Sequence, residues 1–306
     1  MYTIILFYKY TNVTDPEQFK QEQRLLCEQL QLKGRMIIAK EGINATLEGK
    51  TEAIEAYIRS LTQQQQFSDI HFKKSEGDGS AFPRLSVKVR SEIVSSHLGE
   101  KDIDPQKVSG KYITAETLHE WITGGVREFY IIDMRNDYEQ VVGHFENSLL
   151  SGMQNFKDLS DILPRIAHLK GKTVVTVCTG GVRCEKASGF LVKNGFTDVY
   201  QLYGGIVTYM ETYPNEHFSG SLYVFDNRII MGFHREDPKR KIVGTCVVCQ
   251  SPSEHYINCK DSFCDRHFIC CESCLKGQKK ILCPMGCHDY TREHPEALHA
   301  SFLTTG

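Results

Sequence analysis

The sequence predicts a multidomain molecule of α+β and α/β type. A ferredoxin-like unit spans residues 1–95, and an α/β unit with a parallel sheet spans 112–218. A small cysteine-rich region lies beyond an extended arm, over 219–306. Three observations carry this. Residues 1–95 present strand and helix signals in βαββαβ order. From residue 112, short apolar β-branched runs alternate with helical patterns, the mark of a parallel sheet. Nine of the 12 cysteines fall between Cys246 and Cys287. Between the first two units, residues 96–111 carry little periodicity and read as a linker.

Taken in order, residues 2–10 form an apolar strand. Asp15-Pro16 is an N-cap followed by proline at the first helical position, with Gln18 three residues after the cap. That helix is expected to run to about Lys33 and stop at Gly34. Residues 35–39 and 45–47 are partner strands around a turn at Glu41-Gly42-Ile43-Asn44. Thr51 is expected to cap a helix whose Ile54, Ile58 and Leu61 share one face. Strands at 70–74 and 85–89 complete the unit. In the second unit, Thr114 caps a helix bearing Leu118, Trp121 and Ile122. Residues 130–133, 174–177 and 199–202 are buried strands, and a helix runs from about Cys184 to Lys193. Residues 222–231 read as the extended arm.

Composition narrows the function. The chain has 306 residues, 41% of them hydrophobic and 24% charged, with a formal net charge of -2. Overall attraction to nucleic acid is therefore absent, and any such binding needs a local basic groove. No apolar run reaches the roughly 18 residues of a membrane span. The N-terminus lacks the basic start and small-residue cleavage site of a signal peptide, so a cytoplasmic protein is expected. Dense cysteine in such a chain points to metal ligation or redox chemistry rather than disulfides.

The sharpest local signal is Val177-Cys178-Thr179-Gly180-Gly181-Val182-Arg183-Cys184-Glu185-Lys186. A strand delivers Cys178 to its C-terminal end, where open α/β sheets bind their ligands. Two glycines let backbone amides turn toward the sulfur, and the next helix adds its positive end. With Arg183 close by, these favour thiolate over thiol. The same cradle suits a persulfide, a phosphate or an oxygen atom.

In the tail, Cys246/Cys249, Cys259/Cys264, Cys271/Cys274 and Cys283/Cys287 form four closely spaced pairs. Tetrahedral zinc takes four soft ligands, and paired thiolates on short turns supply two each, so four pairs match two structural zinc sites. First with third and second with fourth is one arrangement. Cys270 is spare, with His255, His267 and His288 as substitutes.

Three ordered segments resemble a rhodanese domain: Ile132-Asp133-Met134-Arg135 with the later Gly143-His144, the Cys178 loop, and Tyr203-Gly204-Gly205-Ile206. The resemblance implies that Asp133 and Arg135 are the strand-end acidic and basic pair of the catalytic domain. The six-residue loop resembles sulfurtransferases rather than the related phosphatases, whose loop is one residue longer. Cys184 departs from the usual Ser or Thr. It is either a resolving thiol for an oxidised Cys178 or an inward-packed first-turn residue.

Over nearly its full length the chain resembles the bacterial oxygen-dependent tRNA uridine hydroxylases, formerly an uncharacterised rhodanese-containing family. The resemblance adds Ala39-Lys40-Glu41-Gly42-Ile43-Asn44-Ala45-Thr46-Leu47, Phe82-Pro83-Arg84-Leu85-Ser86-Val87-Lys88-Val89-Arg90 and Val224-Phe225-Asp226-Asn227-Arg228. It implies conversion of the wobble uridine of tRNA to 5-hydroxyuridine with molecular oxygen as co-substrate, and Cys178 as the active residue. A basic face of the first unit would then meet the anticodon loop through Lys40, Lys73, Lys74, Arg84, Lys88 and Arg90, with Tyr8, Tyr10 or Phe72 stacking on a base. No flavin, pterin or 2-His-1-carboxylate signature appears, and no obligate protein partner is evident. Two other readings are a sulfurtransferase carrying a Cys178 persulfide, and a zinc-stabilised binding protein with an inactive rhodanese domain.

Overall fold

Alternation along the first strand gives the N-terminal unit two chemically different faces. In β1 (Tyr2–Tyr10), Ile5 and Phe7 enter an apolar core while Ile4, Leu6 and Tyr8 project from the opposite side. The computed structural model describes residues 1–125, 127–261, 264, 266–277 and 283. Asp15 caps α1 (Pro16–Gln29), accepting from the amides of Glu17 at 3.1 Å and Gln18 at 2.9 Å. The helix stops short of the expected Lys33 because Gln31 takes a left-handed φ of 56° and β2 (Lys33–Ala39) begins at once. A tight turn leads into β3 (Gly42–Lys50), then α2 (Thr51–Thr62). Thr51 is the first residue of α2 and not its cap. Its hydroxyl lies 3.0 Å from that of Thr3.

The strand expected from residue 70 starts later, as β4 (Lys73–Gly77), because Phe67 and Ile70 are drawn into the core. With β5 (Leu85–Val89) the sheet order is β4-β1-β3-β2-β5. The first four strands are the antiparallel ferredoxin-like set, and β5 adds a fifth, parallel to β2. Core residues of α1 and α2 cover one face only. The segment 96–111 is pinned by single contacts without periodicity. Ile103 is buried, Asp102 pairs with Lys186, and the Gly110 amide donates to Ser188 Oγ at 2.8 Å.

The second unit runs β6 (Lys111–Ile113), α3 (Ala115–Gly124), β7 (Tyr130–Asp133), α4 (Asp137–Gln140), β8 (Gly143–Phe145), β9 (Leu149–Leu150), α5 (Leu163–Ile166), β10 (Thr173–Val177), α6 (Val182–Lys193), β11 (Asp198–Leu202) and α7 (Gly205–Thr212). Five strands in order β6-β11-β10-β7-β9 make a wholly parallel sheet. Ile132 and Val174 pack with Phe190 and Leu191 of α6 on one side. Ile131, Val175 and Val177 pack with Leu118, Ile206 and Met210 on the other. Strand β10 is therefore central and buried along its length, and Cys178 follows it directly.

Beyond it, β12 (Phe218–Gly220) pairs with β8. The expected extended arm is a hairpin of β13 (Leu222–Tyr223) and β14 (Ile230–Met231). Its bend is held by Asp226, which accepts from the Arg228 amide at 3.0 Å, and by Ile229 at a φ of 62°. Such short-range polar closure leaves no apolar signature. The cysteines ride on β15 (Tyr256–Asn258), β16 (His267–Ile269), α8 (Glu272–Gly277) and the turns around them. Among the described residues, no helix is long and apolar enough to cross a membrane.

Candidate active site

The turn after β10 holds the sulfur of Cys178, buried at the end of the central strand of the second sheet. Gly181, at a φ of 102°, is the N-cap of α6, so the helix begins at Val182, two residues earlier than the sequence predicts. Arg183 and Cys184 are consequently first-turn residues. The Gly181 amide donates to Cys178 Sγ at 3.3 Å. Carbonyls of the same turn point away from the sulfur and are capped by α7, whose Ile206 and Val207 amides donate to the oxygens of Cys178 (2.9 Å) and Thr179 (3.1 Å). Gly205 makes this approach possible. Its φ is 73°, and a Cβ there would lie 2.7 Å from Cys178 O and 2.6 Å from Thr179 O.

Burial opposes ionisation of Cys178, which is 1% exposed. Against that act the Cys184 thiol as a donor, the Arg183 guanidinium, and the amides of Cys184 and Gly181. The balance places the thiol below its ordinary range, at about 6. Cys184 is fully buried behind it. Burial and donation to Cys178 push its own thiol well up, so one sulfur of the pair carries the charge.

Arg183 is held by a residue the sequence reading did not single out. Glu139 accepts from Nη1 at 2.5 Å and Nη2 at 2.8 Å, and both residues are buried. Its Oε1 also accepts the Asn136 amide at 2.9 Å, closing the capping box of α4. Asp133 and Arg135 form a separate, fully buried pair at 2.6 Å. Arg135 also donates to the carbonyls of Glu139 and Gly143, and neither residue lines the cavity above Cys178. The structure thus places this pair beneath the loop, where it fixes the turn carrying Glu139.

That cavity, about 410 Å³, is walled by all three parts of the chain. Its roof is the helix-free face of the first sheet, with Ile4, Leu6, Tyr8, Arg35, Ile37, Asn44, Thr46, Lys73 and Ser75. Cys178, Thr179, Gly180 and Arg183 form the floor, and Phe82, Phe225 and Arg228 stand at the side. The hairpin tip is tied to the first unit. Arg228 makes a double contact with Asp226 and donates to Ser75 Oγ at 3.0 Å, while Asn227 N donates to Ala81 O at 2.9 Å.

The six expected basic residues separate by strand alternation. Lys73 is buried against the cavity, but the Lys74 ammonium turns to the helix side and meets Glu55 of α2 at 2.5 Å. Lys88, in register with Ile37, lies on the open face at its far edge, exposed with Arg84 and Arg90, and none of the three lines the cavity. Lys40 is exposed beside the β2–β3 turn. Of the three aromatics, Tyr8 lines the cavity, Tyr10 is buried with its hydroxyl donating to Val182 O at 3.3 Å, and Phe72 packs on Phe7 in the helix-side core. Arg35, Phe225 and Arg228 were not expected. The last two lie in a motif quoted for resemblance alone, and only the hairpin brings them to the sulfur.

In the tail, the sulfurs of Cys246, Cys249, Cys271 and Cys274 lie within 4.8 Å of one another, as do those of Cys259, Cys264 and Cys283. The first pair thus meets the third, and the second meets Cys283 of the fourth. Cys287 and His288 lie outside the described residues. Zinc–sulfur bonds of about 2.3 Å set tetrahedral edges of about 3.8 Å. Cys249 and Cys271 approach to 3.6 Å and Cys264 and Cys283 to 3.8 Å, so both groups can hold a metal ion. His255 and His267 are engaged elsewhere, with Cys270 O at 2.8 Å and the Tyr223 hydroxyl at 2.9 Å.

Three domain families match along the chain. Residues 2–93 match the UPF0176 acylphosphatase-like domain, 114–212 the rhodanese-like domain and 219–288 the rhodanase C-terminal family. Proteins named tRNA uridine(34) hydroxylase are similar over almost the entire length. The one from Cytophaga hutchinsonii is 40% identical, covering 96% of this chain and 91% of that protein. The Bacillus cytotoxicus protein is 39% identical (96% and 89%), and the Listeria monocytogenes protein 38% (99% and 93%). A solved rhodanese-like domain protein from Staphylococcus aureus is 27% identical over 32% of this chain and 90% of that one, with a TM-score of 0.28.

Proposed function

The chain belongs to the tRNA uridine(34) hydroxylase family, and from that premise we propose that it hydroxylates the wobble uridine of tRNA at carbon 5, with Cys178 as the working group. The observation that carries this is a single ionised sulfur at the floor of a cavity of about 410 Å³ whose roof is a sheet face bearing Lys73, Arg35 and Asn44. A pocket of that size suits one nucleoside rather than a helix. An anticodon-loop base is unpaired, so turning it into the cavity costs little. Phe82 and Phe225 offer apolar faces to the ring, and Arg35 and Arg228 offer donors to its carbonyls or phosphate.

The thiolate adds to carbon 6 of the ring and raises electron density at carbon 5, the position that meets dioxygen. One oxygen atom stays on carbon 5, the other leaves as water with two electrons and two protons from a thiol reductant, and loss of the carbon 5 proton then expels the thiolate. Arg183, fixed by Glu139, keeps the sulfur ionised while it waits. Two zinc ions would be held by the cysteine groups of the tail, where they supply structure only. The enzyme would work in the cytoplasm, on tRNA.

The test supplies purified protein with unmodified tRNA, a thiol reductant and isotopically heavy dioxygen, followed by nucleoside mass spectrometry. Heavy label in a hydroxylated uridine, lost in Cys178→Ser, is the expected result. The label is essential, because replacing oxygen by sulfur adds the same nominal mass as hydroxylation. An unlabelled sulfur-containing uridine would favour sulfur transfer from a Cys178 persulfide, and full activity in Cys178→Ser would remove the thiol from the chemistry.

A further inference from the structure

Lys73 is the one buried lysine of the cavity, 6% exposed, and among the described residues its ammonium makes no hydrogen bond or ion pair. Burying a charge without a partner is costly, which is why buried cations are ordinarily ion-paired. Lys186 shows the ordinary solution in this same molecule, meeting Glu41, Glu92 and Asp102 at 3.0, 2.8 and 2.8 Å. Nothing comparable serves Lys73. Its Nζ stands 4.8 Å from the centre of the Tyr8 ring, a contact with the π face that leaves its three N–H donors unused. The Tyr8 hydroxyl is itself committed to Glu185 at 2.8 Å.

Charged and titratable groups face Lys73 from several elements, and on the side away from Cys178 it also lines a second cavity with Tyr10, Tyr203, Glu185 and the Lys9–Asp69 pair. Tyr8 comes from β1. Cys178 and Glu185 come from the loop and α6, and His71 from its own chain segment. Tyr112 lies beyond Tyr8 and shares Glu185. In the cavity above Cys178 the thiolate is the reacting atom and Asp226 is taken by Arg228, while Glu185 and Asp69 share the second cavity with Lys73, committed to Tyr8 and Lys9.

We propose that Lys73 is a catalytic residue, whose ammonium receives the negative charge that develops on a uracil carbonyl oxygen when the Cys178 thiolate attacks the ring. This rests on the hydroxylase reading and assigns it a second working group. In that step a sulfur–carbon 6 bond forms. The carbon 5–carbon 6 double-bond pair becomes a carbon 4–carbon 5 double bond, and the carbonyl pair moves onto oxygen. The proton stays on Lys73 throughout, so the residue acts as a fixed donor to an oxyanion and no redox partner is needed. A lysine whose donors are satisfied only by substrate would do little for the resting protein and much for the charged intermediate.

Burial lowers the Lys73 ammonium to about 8, with Cys178 and Glu185 opposing the shift. The group works protonated, so activity is lost as pH rises through that value. Together with the rise as Cys178 ionises near 6, this gives a bell-shaped profile.

The experiment compares wild type, Lys73→Met and Lys73→Arg in single-turnover hydroxylation across pH, with tRNA affinity measured separately and thermal unfolding recorded. Lys73→Met should keep the tRNA Kd within about twofold, lower the rate constant by about two to three orders of magnitude, and lose the alkaline limb. Its Tm should rise, because an unpaired buried charge has been replaced by an apolar chain of similar length. Lys73→Arg should retain part of the rate with the alkaline limb moved upward. If Lys73→Met weakens tRNA binding and leaves the rate constant unchanged, Lys73 is a phosphate contact and the inference falls. It also falls if Lys73→Met matches a wild type that hydroxylates. A wild type that makes no hydroxylated uridine overturns the hydroxylase reading itself, and the role of Lys73 with it.

Discussion

Arg183 reaches Glu139 through two parallel hydrogen bonds, a geometry that only a guanidinium and a carboxylate provide. The pair fixes the plane of the guanidinium beside Cys178, so a local sequence motif depends on a carboxylate 44 residues away in the chain. With the thiol at about 6, its alkylation by iodoacetamide should rise from pH 5, pass a midpoint near 6 and be flat by pH 8. Ordinary cysteine has a midpoint of about 8.5. Replacing both partners, Arg183→Gln with Glu139→Gln, removes the cation without leaving a buried charge and should move the midpoint upward toward that of ordinary cysteine. An unmoved midpoint in the double variant would mean that the amides alone hold the thiolate. Cys178 was legible because strand, glycines and arginine are contiguous. Glu139 was not, because its sequence context reads equally well as a plain capping box. Lys73 and Lys88 show the same limit: both are lysines on one sheet face, and only the packing of the second unit buries one and leaves the other in water.

Helix α6 does three jobs along its first turns. Its N-terminus faces the sulfur, Glu185 gathers the hydroxyls of Tyr8 and Tyr112 and the amide of Gln201, and Lys186 gathers three carboxylates from the first unit and the linking segment. The first unit is therefore clamped to the element that carries the loop, which keeps its open sheet face in register over Cys178. Lys186→Met should leave three carboxylates facing one another and destabilise the protein by about 3–5 kcal/mol, read from urea unfolding. Limited proteolysis should then cut within residues 96–111, which the clamp now holds down. A change below about 1 kcal/mol would show that the first unit is held by its apolar contacts alone. At α7 the decisive residue is Gly205, which has both a left-handed φ and no room for a Cβ against the loop carbonyls. Gly205→Ala should tilt those carbonyls back toward the sulfur, lowering hydroxylation at least about tenfold and slowing Cys178 alkylation at neutral pH. Helices and strands of this kind were largely readable, since apolar periodicity marks them. From sequence, residues 222–231 read as an extended arm, because the hairpin closes through polar contacts and its strands are two residues each.

At the scale of the molecule, the three parts are assembled around one cavity, and among the described residues the tail reaches it through the hairpin. Tyr256 of β15 donates to Tyr138 O at 2.6 Å, and the Tyr223 hydroxyl meets His267 of β16 at 2.9 Å. These contacts seat the cysteine-bearing strands against the base of the hairpin whose tip carries Phe225 and Arg228. Among the described residues the two cysteine groups have little apolar material around them beyond Val247, Ile257, Phe268 and Leu275, so a bound metal would be the main source of their stability. The purified protein should therefore contain about two zinc ions per chain. Cys271→Ser, which breaks the four-sulfur group, should release one of them. Because the described tail cysteines do not line the cavity over Cys178, the alkylation midpoint of that thiol should stay near 6 after the metal is lost. Hydroxylation should nevertheless decline, mainly as a raised KM for tRNA, because the hairpin loses its seat while the thiol loop does not. A metal-free variant with unchanged KM would detach the tail from substrate binding. A shifted thiol midpoint would instead show that the tail supports the loop directly.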